Sequence, residues 1–278
     1  MLRAEVQATH ERQILERPAP AADHRIPYGT EPSQFGDLRT PIGPGPHPVV
    51  VVVHGGFWRA QYDLLHIGHL CAALTEAGLA TWSLEYRRIG ETGGGWPGTL
   101  QDVAAGTAYL TEIARDHPLD LDHVITIGHS AGGHLALWLA AHGHSPIEAA
   151  DAAPLGITIR GAVSLAGVVD LRRAAALGLG NRAAEALLGG TPDAVPERFV
   201  AASPREHLPL GIPQVLIHGQ NDDIVPIDLA RAYFTAASHS GDQVHFHALP
   251  STGHFGVIDP LTSAWPVVEA GVRSLRSP

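Results

Sequence analysis

The stretch Gly128-His129-Ser130-Ala131-Gly132-Gly133 has the residue types and spacing best suited to chemistry. It fits G-x-S-x-G, in which a serine sits on a tight turn from a strand into a helix. Residues 123–128 are short and β-branched, which predicts a buried strand. Residues 134–141 are good helix formers. A serine placed there has a strained backbone and an Oγ raised above the sheet at a helix N-terminus, and the flanking glycines allow close packing. The expected chemistry is nucleophilic attack by Ser130.

A serine hydroxyl needs a base, and the base needs an orienting acid. His218-Gly219-Gln220-Asn221-Asp222 follows an apolar run directly, and Val225-Pro226 comes after it. That register selects Asp222 as the acid and leaves Asp223 as a helix cap. Gly253-His254-Phe255 follows the next apolar run and selects His254 as the base. Asp170, beyond an earlier strand, is the rival acid. The order Ser, Asp, His along the chain is one that such sites use. An acyl oxygen that becomes negative also needs amide donors. His54-Gly55-Gly56-Phe57-Trp58 follows the valine run and supplies them, with the amides of Gly56, Phe57 and Ala131 as the expected oxyanion hole.

The aromatic residues Phe57, Trp58, Trp96 and Phe255 are candidates for the pocket wall or for the core, so substrate contacts are expected at Trp58, Trp96 and Phe255. His245 and His247 alternate on an expected strand, but no cysteine or carboxylate pair accompanies them, so no metal site is assigned. His66 with His69, and His142 with His144, receive the same structural reading. Cys71 sits among Leu70, Ala72 and Ala73, where a buried structural thiol is expected.

These residues have to be held by a scaffold, and the chain offers an alternating one. Short edge strands are expected over 25–28 and 34–39. Strands are expected over 49–53, 79–85, 161–165, 214–218 and 243–249. Helices are expected over 62–77, 99–115, 226–238 and 263–275. Strands alternating with helices predict a mostly parallel sheet covered on both faces. The interval between Leu165 and Gln214 far exceeds the dozen residues a bare crossover needs. Residues 168–210 are therefore expected to form a small helical cap over the carboxyl edge of the sheet, where ligands bind in open α/β folds. Residues 1–48 read as a polar, proline-rich extension of one domain spanning 1–278.

Composition excludes several functions. The chain has 278 residues, 45% hydrophobic and 17% charged, which is globular. A net charge of −10 argues against nucleic acid and anionic membranes as partners. No apolar run approaches the ~20 residues of a membrane span, and residues 1–10 lack the apolar core of a leader. One cysteine forbids an internal disulfide and fits a reducing, cytoplasmic setting. All 18 basic residues are arginine, so Schiff-base and Ser-Lys chemistry are unavailable. Oligomeric state is not legible.

With these motifs in hand, the chain from about Val49 onward resembles the α/β-hydrolase superfamily, in its His-Gly-Gly branch of esterases and lipases. Glu85-Tyr86-Arg87-Arg88, followed by Trp96-Pro97 and Asp102, is similar to that branch's D-Y-R…P-x-x-x-x-D region. The resemblance implies that Arg87 or Arg88 pairs with Asp102. Glu85 departs from the usual aspartate, and Phe57-Trp58 departs from the usual third glycine. His-Gly-Gly-aromatic-Trp is closer to kynurenine formamidases and the small esterases near them. The resemblance implies acyl transfer through an acyl-enzyme, with no cofactor and a small-molecule ester as substrate. A formamide of an aromatic amine is the alternative, and a serine peptidase or a non-catalytic binding protein is a more distant one.

Overall fold

The valine run becomes the middle of the sheet. In this computed structural model, which describes residues 11–144 and 150–276, strand β3 (His47–Val53) holds Val49 to Val53 at 0% exposure. Residues 1–10, read above for a leader, lie outside the described part. Val49, Val51 and Val53 join one apolar cluster, and Val50 and Val52 join the other. Alternate side chains of a strand point to opposite faces, so an unbroken apolar run needs cover on both.

The cover comes from helices of the expected alternation. On one face lie α2 (Gly98–Ala108), α4 (Ala131–His144) and α8 (Asp228–His239), through Leu100, Val103, Leu135, Trp138 and Tyr233. On the other lie α1 (Gly68–Glu76) and α9 (Trp265–Ser274), through Leu70, Leu74, Val268 and Val272. Cys71 belongs to this second core at 0% exposure, and burial pushes its thiol up to about 11, so it stays protonated.

Eight strands form one sheet in the order β1-β2-β4-β3-β5-β6-β7-β8. They are β1 (His24–Pro27), β2 (Phe35–Arg39), β4 (Ala80–Leu84), β3, β5 (Leu119–His129), β6 (Ile159–Leu165), β7 (Gln214–Gly219) and β8 (Val244–Leu249). The pairs β1–β2 and β2–β4 are antiparallel, and all others are parallel. The two short N-terminal strands thus extend the main sheet. His54, Ser130, Asp222 and His254 follow β3, β5, β7 and β8, so all four reach the same carboxyl edge.

Some boundaries differ from expectation for local reasons. The helix expected from residue 62 begins only at Gly68. Asp63 caps a 3-10 turn first, accepting the Leu65 amide at 2.9 Å, and Leu64–Ile67 forms that turn. The helix expected over 99–115 divides at Tyr109, whose ψ of −13° tightens the turn before α3 (Leu110–Ile113). Residues 168–210 hold α5 (Leu171–Ala176), α6 (Leu179–Leu188) and α7 (Pro196–Ala202). Gly180, Asn181 and Arg182 at the start of α6 all have left-handed φ. This segment docks on the loop after β3, because the Arg59 guanidinium donates to the Gly180 and Asn181 carbonyls, each at 3.0 Å.

Candidate active site

Ser130 sits at φ 56°, a left-handed conformation unusual for a residue with a side chain. Two glycines make that turn possible. A Cβ on Gly132 would lie 2.0 Å from the Val53 carbonyl oxygen, and one on Gly128 would lie 2.0 Å from that of Gly132. The Ser130 amide donates to the Leu165 carbonyl at 2.8 Å, which ties the turn to β6. Ser130 lines a cavity of about 190 Å³ at the carboxyl edge.

His254 lines the same cavity and is held from the side away from it. Its Nδ1 donates to Asp222 Oδ2 at 2.8 Å. The Asp222 side chain is completely enclosed, and its other oxygen, Oδ1, accepts the Ile224 and Val225 amides at 2.9 and 2.8 Å. His218 Nε2 lies 3.0 Å from Oδ2 and 2.9 Å from the Val225 carbonyl. Burial alone would raise the Asp222 pKa. Hydrogen bonds from His218 and His254 overcome it and hold the carboxyl well below the usual carboxylate range. An ionised Asp222 fixes the tautomer of His254 with its proton on Nδ1 and leaves Nε2 to accept one.

The rival acid is placed elsewhere. Asp170 caps α5, accepting the Arg173 amide at 2.9 Å, and lies 3.5 Å from Arg205 Nε.

The loop after β3 is braced from below. His54 is buried, with Nδ1 2.7 Å from the Gly55 carbonyl and Nε2 3.0 Å from Glu85 Oε1. The Tyr86 ring stacks on His54 at 4.4 Å, and its hydroxyl donates to the His54 carbonyl at 3.0 Å. Glu85 also accepts the Leu64 and Tyr86 amides, at 3.1 Å each. Burial would raise its pKa, but His54 and Arg88 bring it below the ordinary value. Of the two arginines open for pairing with Asp102, Arg87 does so, through Nε and Nη2 at 2.8 and 2.7 Å.

Gly56, Phe57 and Trp58 all have positive φ, of 108°, 50° and 56°. Two consecutive strained non-glycine residues persist only when their surroundings over-determine them. Here the Arg59 amide donates to the Gly56 carbonyl and the Ile89 amide to that of Trp58, at 3.0 and 2.7 Å. Among the described residues no backbone carbonyl accepts the Gly56 or Phe57 amide. Ala131 opens α4, so its amide has no partner within the helix.

The structure divides the four aromatic candidates. Phe57 and Phe255 line the cavity. Trp58 does not: the left-handed turn carries it into the core at 1% exposure, edge-on to His134 with ring centroids 5.2 Å apart. Trp96 does not either, since its amide is tied to the Leu187 carbonyl at 2.7 Å and its side chain packs on the first core cluster.

Besides Gly56, the remaining wall comes from Arg12, Leu15, Tyr62, His66, His129 and Ile224. Sequence reasoning missed these, and for Arg12 and Leu15 no local signal marked them. His66, expected to be structural, is also part of the wall. Burial, followed by the His54 imidazole, pushes it down to about 3, so it is a neutral wall residue.

His129 donates from Nε2 to the His254 carbonyl at 2.9 Å, and burial holds its pKa well below the ordinary value. Burial likewise pushes His134 down to about 4, with Nε2 donating to the Ala202 carbonyl at 2.8 Å. Both rings are neutral when folded, but near pH 6.5 they gain protons when unfolded. Their contribution is therefore complete above pH 6.5 and is lost as the pH falls toward their folded values. Each group should cost about 1.4 kcal/mol per pH unit in that window. Denaturant unfolding should show stability dropping steeply from pH 6.5 to 5, and a flat profile there would contradict the burial of these rings as neutral groups.

Comparison with known proteins extends the geometry. The BD-FAE family model matches residues 37–236, which include Ser130, Asp222 and the loop after β3. The chain belongs to the BD-FAE family. Among curated relatives of this BD-FAE chain, esterase LipC of Mycobacterium tuberculosis is 28% identical over 250 residues, covering 84% of the chain and 60% of LipC. Esterase LipQ of the same organism is 28% identical, covering 82% of the chain and 56% of LipQ. The chain thus spans less than two thirds of the curated relatives it matches. Esterase B from Lactobacillus rhamnosis superposes with a TM-score of 0.79 at 20% identity, covering 99% of this chain and 96% of that one. The architecture is the α/β-hydrolase fold. No helix among the described residues is long and apolar enough to cross a membrane.

Proposed function

We propose that this chain is a serine carboxylesterase for short-acyl or aryl esters. The observation that carries the reading is the His254–Asp222 hydrogen bond at 2.8 Å, with His254 facing the cavity that also holds Ser130 on its strained turn. A serine, an imidazole and a buried carboxylate in that relation can run two-step acyl transfer.

In the first step His254 Nε2 takes the Ser130 proton as Oγ attacks the acyl carbon. The carbonyl oxygen becomes an oxyanion, facing the Gly56, Phe57 and Ala131 amides. These donors are fixed before reaction by the bracing of His54 and by the start of α4, so little reorganisation opposes the charge as it develops. His254 then protonates the leaving alkoxide, and the bond from the acyl carbon to that oxygen breaks. Water repeats the sequence on the acyl-enzyme and releases the acid and the serine. Asp222, kept ionised by its four donors, stabilises the imidazolium formed in each half.

Cavity size and lining narrow the substrate. A space of about 190 Å³ exceeds the ~150 Å³ of a cavity that admits benzene. Leu15, Phe57, Ile224 and Phe255 make its wall apolar, which suits a short acyl chain or one aromatic ring. The name esterase, borne by LipC, LipQ and esterase B, favours an ester substrate. The same groups would cleave a formamide, so the alternative is decided by assay. p-Nitrophenyl acetate and butyrate are expected to exceed the palmitate ester by about 10²-fold or more in kcat/KM, since a long chain overfills the cavity. They are also expected to exceed N-formylkynurenine. A preference for palmitate would overturn the size argument, and a preference for the formamide would reassign the substrate class.

A further inference from the structure

We infer that Glu11, from the N-terminal segment, is a positioning residue for His254. It holds the loop that carries the base, and the inference rests on the proposed role of His254.

The loop between Leu249 and the 3-10 turn Gly256–Ile258 has to present His254 at one place and one angle. Asp222 fixes only the ring, through Nδ1. The backbone is fixed by two other groups. From one side His129 Nε2 donates to the His254 carbonyl at 2.9 Å. From the other, the Gly253 amide donates to both Glu11 carboxylate oxygens, each at 3.0 Å, and the Gly256 amide donates to Oε2 at 3.2 Å. The amides on either side of His254 and Phe255 thus converge on one carboxylate that is 5% exposed.

The loop is shaped to admit that carboxylate. A Cβ on Gly253 would lie 2.5 Å from Glu11 Oε2, and one on Gly256 would lie 2.8 Å from Oε1. Any residue larger than glycine at either position would push Glu11 out. Burial raises the Glu11 pKa while the Gly253 and Gly256 amides oppose that rise, so the bonds are strongest to the ionised carboxylate.

Neighbouring residues dock the same segment on the site. Arg12 pairs with Asp223 at 3.2 Å, and Arg12 and Leu15 line the cavity. Arg17 pairs with Asp259, just beyond the loop, at 2.7 Å. The N-terminal segment therefore packs against the His254 loop, with Glu11 5% exposed and Ile14 buried in the second core cluster.

Glu11→Gln tests the role. The amide keeps one carbonyl acceptor but turns an NH2 toward an amide N–H, so one of the converging bonds is lost. Misplacement of a catalytic group by about 1 Å can cost 10²-fold in rate. Turnover of p-nitrophenyl acetate should be normalised to sites titrated to completion with a fluorophosphonate, so that unfolded molecules do not count. Glu11→Gln is expected to lower kcat per titrated site by about 10–10²-fold and to keep KM within about threefold. Wild-type kcat per site would overturn the inference whatever the thermal midpoint. A loss in KM alone would also overturn it, by placing Glu11 in the substrate wall. A wild-type protein that takes up no fluorophosphonate would overturn the reading of Ser130 and, with it, this inference.

Discussion

Ser130→Ala is expected to lower kcat for p-nitrophenyl acetate by about 10⁶-fold, with unfolding behaviour close to that of the wild type. The size follows from the loss of the atom proposed to form the acyl-enzyme. His254 and Asp222 do not compensate, because a base without its nucleophile only activates water from an unprepared position. The fold should survive because the turn is set by backbone geometry and neighbouring glycines rather than by the hydroxyl. The turn is set by Gly128 and Gly132, whose absent side chains make room for the Val53 and Gly132 carbonyls, and by the Ser130 amide bond to Leu165. Alanine at φ 56° carries the strain that serine already carries.

Asp222→Asn is the second large effect, with kcat expected to fall by about 10⁴-fold. An asparagine at this site cannot meet all four donors. Its carbonyl can take the Ile224 and Val225 amides, which turns its NH2 toward the His254 and His218 rings. His254 must then present a bare Nδ1 and carry its proton on Nε2, the tautomer that cannot take a proton from Ser130. Loss of negative charge also removes the stabilisation of the imidazolium. Asp170→Asn is the control, since asparagine caps a helix as well as aspartate does and Asp170 binds the Arg173 amide rather than His254. Its kcat should stay within about twofold of wild type. If Asp170→Asn proved the more damaging change, the acid would have to be reassigned.

What could be read from the sequence was what local pattern encodes. The valines at 49–53 and the run before Ser130 announce strands through β-branching alone, and each strand ends in the loop that carries a candidate group. Chain order therefore places Ser130, Asp222 and His254 at one edge of the sheet. Side-chain direction within a loop has no such period. Phe57 and Trp58 are adjacent and both left-handed, yet the first faces the cavity and the second enters the core against His134. Glu11, Arg12 and Leu15 were illegible for another reason. The partners of Glu11 and Arg12 are more than 200 positions away, at Gly253 and Asp223, and the segment shows no periodicity that would mark a buried face. Glu85 was a departure in pattern that the structure explains, because its longer side chain reaches His54 and the Leu64 amide together.

The most direct test of the central claim is covalent. Wild-type protein and Ser130→Ala should be treated with a fluorophosphonate and compared by intact mass and peptide mapping. The account predicts one adduct per wild-type chain, on the peptide containing Ser130, and none on the variant. An adduct on another residue, or equal labelling of the variant, would contradict it.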